Sequence, residues 1–284
     1  MSTAPIYLFG PGSFVAAPLF AMLKTTGREI VAVSRRQRTI PDGVTLYRCD
    51  PWADPDGFAM PEGSTLIALA PLAAMAALGD RLKPAQRIVA LGSTSMIARK
   101  DAPDAADRAF AAGLAHAEDK LLTLADGARQ VTVLRPTLIY DGEHDRNVTA
   151  LARLIHRFRL IALPGAASGL RQPIHASDVA GYAFAAAIGQ TPGGALTITG
   201  GETLSYREMV SRIFEALGQR ERVLTLPSAP SIMAARLVKR LTGRGPGAGL
   251  VHRINQDLAF DDTQARRLFN VMPRRFHPDF SSWA

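Results

Sequence analysis

A chain of 284 residues with 47% hydrophobic and 20% charged residues can bury a sizeable core, as one large domain or as a domain with an appended lobe. Its one cysteine, Cys49, excludes an internal disulfide, and no charged segment followed by a long apolar run opens the sequence, so the cytoplasm is the expected compartment. The net charge of +8 raises nucleic acid or an anionic surface as partners, but no aromatic interleaving or helix-turn-helix pattern accompanies it and no nucleic-acid partner is expected. Apolar runs such as 64–77 are interrupted by proline and too short to span a bilayer, so no transmembrane segment is expected.

In chain order, an apolar run from Ile6 to Phe9 meets a Gly10-Pro11-Gly12 turn, an amphipathic stretch through Lys24, and a second apolar run from Glu29 to Val33. Strand, glycine turn, helix and strand in that order form the opening unit of a dinucleotide-binding fold, in which N–H groups at the helix start hold a pyrophosphate. Gly10 supplies the tight bend and Gly12 the close backbone approach, while Ser13 and Ala16 stand where further glycines are expected. Gly10, Gly12, Ser13, Phe14 and Val15 are therefore expected cofactor contacts, with a ligand-free Gly-Pro turn as the competing reading. No acid follows the second strand. Ser34, Arg35, Arg36 and Arg38 make a cationic cluster suited to a phosphate ester, which points to NADP, with NAD as the alternative cofactor and a solvated basic loop as the bland one.

Further strands are expected at 44–48, 65–69, 87–91 and 131–134, with helical stretches between them. This alternation predicts an α/β chain with a doubly wound parallel sheet, whose ligands sit at the carboxyl ends of the strands. That rule adds Asp50, Ala70, Pro71, Leu72, Arg135 and Pro136 to the expected cofactor contacts and directs attention to the strand end at Gly92–Ser95. Residues 1–140 are expected to form the dinucleotide-binding domain and 141–284 mainly a smaller C-terminal lobe, with about 171–190 returning to the first domain. A basic helical segment spans 147–159, a helix 177–188 and a short strand 195–199. Ser205 to Leu217 carries Tyr206, Met209, Ile213 and Leu217 on one stripe, with Ser205 and Glu208 set for a capping box. From Val223 to Gln256 there is no acid, and Arg236, Lys239, Arg240, Arg244 and Arg253 fall there. A basic helix at about 231–241 suits an anionic surface, the flank of a phosphorylated-substrate pocket, or a solvated face. No metal site is expected.

With these segments in place the chain resembles the extended and atypical short-chain dehydrogenase/reductase family, the nucleotide-sugar epimerases and dehydratases with a Rossmann fold. The matches, in order, are GPGSFVA for GxxGxxG, Cys49-Asp50 for the adenine-contacting aspartate, LGSTSMI for the serine/threonine strand end, LRPTLIYDG for LRPxxxYGP, RQPIHASDVA for RDFVHVDDLA, and TGGETLSYREM for the GGE-type loop.

The resemblance implies hydride transfer with a nicotinamide cofactor, a small-molecule substrate of the nucleotide-sugar type, and room for a homodimer. It also implies a Tyr-x-x-x-Lys pair, from which this chain departs. One register puts His116 and Lys120 at the pair; the other aligns Ala117-Glu118-x-x-Leu121 with AExxL and puts Phe110 and Leu114 there. The separation of 21 residues from Leu114 to Arg135, against 15 from Lys120, favours the second. Thr94 matches the hydroxyl that orients the substrate, His116 is the candidate replacement base, and Asn147 and Arg171 match substrate-binding positions. The resemblance thus implies an epimerase or reductase without the tyrosine and lysine, or a non-catalytic NADP(H)-binding sensor, assembly factor or subunit. A membrane-surface accessory role for the basic stretch is a third reading.

Overall fold

Alternating side chains on the first strand, β1 (Ile6–Phe9), set up two apolar layers: Ile6 and Leu8 face one way, Tyr7 and Phe9 the other, and all four are buried. The structure, a computed structural model, describes residues 3–189, 192–227 and 248–283. The expected basic helix at 231–241, with Arg236, Lys239, Arg240 and also Arg244, lies outside the described residues.

From β1 the chain runs through α1 (Ala16–Lys24), β2 (Ile30–Ser34), β3 (Val44–Arg48), β4 (Ser64–Ala68), α2 (Leu72–Leu78), β5 (Ala85–Leu91), the single turn α3 (Ser95–Ala98), α4 (Ala105–Leu122) and β6 (Gln130–Pro136). The lobe begins with β7 (Ile139–Tyr140), α5 (Val148–Phe158), β8 (Ile161–Pro164), β9 (Leu170–Arg171) and β10 (Ile174–His175). It continues through α6 (Ala176–Ile188), β11 (Gly194–Ile198), β12 (Leu204–Ser205), α7 (Tyr206–Ala216) and β13 (Val223–Leu226), and closes with α8 (Ala248–Asn255) and α9 (Thr263–Phe269).

Seven strands form one parallel sheet in the order β11-β6-β5-β4-β1-β2-β3. The chain winds outward from β1 in both directions, so the topological switch point, where a crevice opens at the strand ends, lies between β1 and β4. One face of the sheet is covered by α1, α6 and α9, and the other by α2 and α4 with Phe58, whose ring meets Tyr7, Phe9 and Tyr47 edge-on. Both α6 and β11 belong to this domain although the lobe's first elements precede them in sequence.

The lobe has its own core, in which α5 and α7 pack with Phe276 and Phe280 of the C-terminal segment. Sequence-local chemistry fixes its helix starts. Ser205 accepts from the Glu208 N–H while Glu208 accepts from the Ser205 N–H, a complete capping box on α7. The buried Asp145 caps α5 by accepting from the N–H groups of Asn147 and Thr149 and from the Thr149 hydroxyl. Asp178, at the start of α6, accepts from the Arg274 backbone and guanidinium and so ties the C-terminal segment to the sheet domain. Among the described residues no helix is long and apolar enough to cross a membrane.

Candidate functional site

The switch-point crevice is lined by two adjoining cavities of about 380 and 1140 Å³, and Pro11, Gly12 and Ser13 line both. The backbone explains why glycines stand here. Gly10 has φ +79°, and a Cβ on it would lie 2.8 Å from the Ala70 nitrogen, so the strand ends of β1 and β4 approach only because that atom is missing. The Gly12 and Phe14 N–H groups make no hydrogen bond with any described residue. They are orphan donors at the start of α1, the arrangement that suits an anion.

The smaller cavity is lined by Gly10, Ser34, Arg35, Arg36, Arg38, Ala70 and Pro71, together with Cys49, Pro51 and Trp52. The Arg35 guanidinium lies 5.1 Å from the centre of the Trp52 ring, and no carboxylate pairs with Arg35, Arg36 or Arg38 among the described residues. Burial, and then Asp54 and Asp50, push the Cys49 thiol above its ordinary pKa, so it stays an apolar wall rather than a nucleophile.

Several expected contacts stand elsewhere. Asp50 does not line either cavity; its carboxylate accepts from the Trp52 N–H and holds a local turn. Val15 and Leu72 are buried in the core on opposite sides of the sheet, and neither lines a cavity. Arg135 is also withdrawn, because its guanidinium is paired with the buried Glu118.

The larger cavity brings together Phe14, Thr94, Pro136, Asn147 and Arg171 with Arg99, Asp145, Arg146 and the apolar side chains of Leu151, Leu258 and Phe260. Thr94 is buried and donates its hydroxyl hydrogen to the Pro136 carbonyl at 3.1 Å, leaving only lone pairs for a ligand. The neighbouring Ser93 accepts from the Ser95 N–H and keeps its hydroxyl hydrogen to donate. Arg171 forms part of the wall, but its terminal nitrogens donate to the carbonyls of Leu170, Arg253 and Gln256, so it clamps the end of α8 and stacks on Tyr206. Burial lowers its pKa, and no acid pairs with it among the described residues. Asn147 and Arg146 stand exposed at the entrance to α5 with their side chains unbonded to described residues.

No side chain of α4 lines either cavity. His116 and Lys120 are exposed on its outer face, Leu114 is half-buried, and Phe110 is half-exposed under the Arg99 guanidinium at 5.0 Å. Asp107 pairs with both Arg99 and Arg253, which joins α4 to α8 across the mouth of the cleft. Trp52, Arg99 and Asp107 escape a motif reading because they sit in loop and helix positions without a spacing signature. A tryptophan four residues after the third strand is the one sequence signal that singles out Trp52.

The sheet order, the glycine turn and the crevice at β1 and β4 define a Rossmann-type α/β protein with a smaller C-terminal lobe. No family model matches the chain. Over 179 residues, 58% of this chain, it is 27% identical to the uncharacterized protein YbjS of Escherichia coli strain K12; the match spans 52% of YbjS, about half that relative's length. Solved structures share the fold over nearly the whole chain. MoeE5 in complex with UDP-glucose and NAD superposes with a TM-score of 0.69 at 21% identity, covering 96% of this chain and 94% of that one. UDP-glucose 4-epimerase from Thermotoga maritima gives 0.71 at 13%, covering 95% and 93%, and UDP-glucuronic acid 4-epimerase from Bacillus cereus, with UDP-glucuronic acid and NAD, gives 0.69 at 14%, covering 96% and 95%.

Proposed function

We propose that the protein binds NADP(H) in the switch-point crevice and a nucleoside-diphosphate-sugar-like ligand in the larger cavity, as an epimerase- or reductase-type oxidoreductase without the tyrosine and lysine pair. The observation that carries the reading is the conjunction at the glycine turn of two backbone donors and three arginines that, among the described residues, have no hydrogen-bond acceptor and no carboxylate respectively. A dinucleotide phosphate supplies the missing partner for both sets. Arg35 and Arg36, beside Ser34 at the end of β2, favour a 2′-phosphate over bare ribose hydroxyls, because a guanidinium offers forked donors and no acid is present to accept from a hydroxyl.

A bound nicotinamide would supply the hydride acceptor or donor. The chain's own part is to hold and orient: Thr94 accepts a hydrogen bond from a ligand hydroxyl, and Asn147 and Arg146 meet an anionic or sugar group at the mouth of α5. Arg171 shapes the wall and keeps α8 in place. In support, the solved structures of the same fold carry NAD with UDP-glucose or UDP-glucuronic acid. A cytoplasmic, homodimeric protein is part of the same reading.

A second reading, a non-catalytic NADP(H)-binding sensor, assembly factor or subunit, is favoured by one observation: α4 contributes no proton acceptor to the cavity. Both readings share the cofactor and are tested first by calorimetric titration. NADPH binds more tightly than NADH by about one to two decades, and Arg35→Ala/Arg36→Ala erases the difference. Equal affinities in the wild type, or tighter NADH, sink the assignment.

A further inference from the structure

Arg38 stands apart from Arg35 and Arg36 in where its guanidinium lies. A Cβ built on Gly12 would fall 2.3 Å from Arg38 Cζ and 2.4 and 2.5 Å from its two terminal nitrogens, so the whole fork rests against the bare face of the glycine. Gly12 lines both cavities, at the point where one passes into the other. Arg38 has no ion pair or hydrogen bond with any described residue, whereas Arg81, Arg99, Arg135, Arg212, Arg266 and Arg274 each have a carboxylate. A cation without a carboxylate among the described residues, set against a turn whose Gly12 and Phe14 N–H groups are also unbonded, gathers positive charge that an entering anion would neutralise.

We propose that Arg38 is the clamp for the bridging diphosphate of the dinucleotide, closing over it from the solvent side while the Gly12 and Phe14 N–H groups hold it from below. The assignment rests on the dinucleotide reading and separates Arg38 from the arginines given to the ribose phosphate. The adenosine half belongs to the smaller cavity and the nicotinamide half to the larger. The group that crosses Gly12 is therefore the diphosphate, common to NAD and NADP. Because the guanidinium lies against Gly12, it has to lift for an anion to reach the backbone there. Its fork is shaped to hold two oxygens, which an ammonium is not.

Calorimetry with NADPH, NADH, ADP and adenosine on the full chain and on Arg38→Ala and Arg38→Lys tests this. Arg38→Ala weakens NADPH, NADH and ADP alike, by roughly ten- to thirty-fold, and leaves adenosine, which lacks the diphosphate, unchanged. Arg38→Lys recovers part of the loss. Melting temperatures match the wild type, since the side chain makes no hydrogen bond or ion pair with a described residue. A loss confined to NADPH overturns the proposal and returns Arg38 to the ribose phosphate. Tighter binding in Arg38→Ala overturns it by showing an obstruction. Unchanged affinities in Arg38→Ala overturn the clamp and leave the dinucleotide reading standing, whereas a wild type that binds none of the three diphosphates overturns both.

Discussion

Arg135 and Glu118 join β6 to α4 under the floor of the cleft: the Arg135 Nε lies 3.1 and 3.0 Å from the two carboxylate oxygens, and a terminal nitrogen contacts one of them as well. The Glu118 side chain is 3% exposed and that of Arg135 21%. One carboxylate buried in an apolar layer beside Gly92 and Val133 tolerates burial because the fork neutralises it. Removing one partner leaves the other without compensation.

Glu118→Gln is therefore expected to lower unfolding free energy by about 2 to 4 kcal/mol, and Glu118→Leu combined with Arg135→Met to recover most of that loss. Urea denaturation of the three proteins checks it. A loss below about 0.5 kcal/mol in Glu118→Gln would show the pair to be solvated and the burial argument to be wrong.

His175 gives a pH dependence. Its Nδ1 accepts from the Ser177 N–H as the N-cap of α6, which requires the neutral ring, and burial followed by the nearby Arg274 holds its pKa below the ordinary value. A folded pKa below the unfolded one means that the unfolded chain binds the proton first. Stability contributed by neutral His175 is thus fully present above about pH 6.5 and declines as pH falls from there toward the lower folded value. Melting temperature should fall between pH 7 and 5.5 in the wild type. His175→Asn, which keeps a cap acceptor that does not titrate there, should flatten that part of the profile. An identical slope in the variant would remove His175 from the account.

Turnover with UDP-glucose or UDP-glucuronic acid is expected to be weak or absent. Without a positioned proton acceptor the rate loses about two to four decades of general-base assistance. Because His116 is exposed on the face of α4 turned from the cavities, His116→Ala should leave cofactor affinity and any residual rate unchanged. Robust turnover that disappears in His116→Ala would restore the imidazole as base and require α4 to rotate.

Residue order alone makes the parallel sheet, the glycine turn and the capping box at Ser205 and Glu208 legible, because each is set by periodicity or by residues within a few positions of one another. It also marked Ser34, Arg35 and Arg36 at a strand end, where topology alone puts a ligand. Which polar groups are left without partners depends instead on contacts between segments far apart in the chain. On α4 the buried positions are Ala111, Ala117, Glu118 and Leu121, and a residue one step from that stripe is turned about 100° away, which carries His116 out to solvent. The motif reading expects Arg171 to face a ligand, but the carbonyls at the end of α8, more than eighty residues later, take its hydrogens. Arg38 lies against Gly12 because the loop after β2 folds back over the turn. Such pairings depend on which chain segments meet, and burial then forces each polar group to the partner nearest at hand.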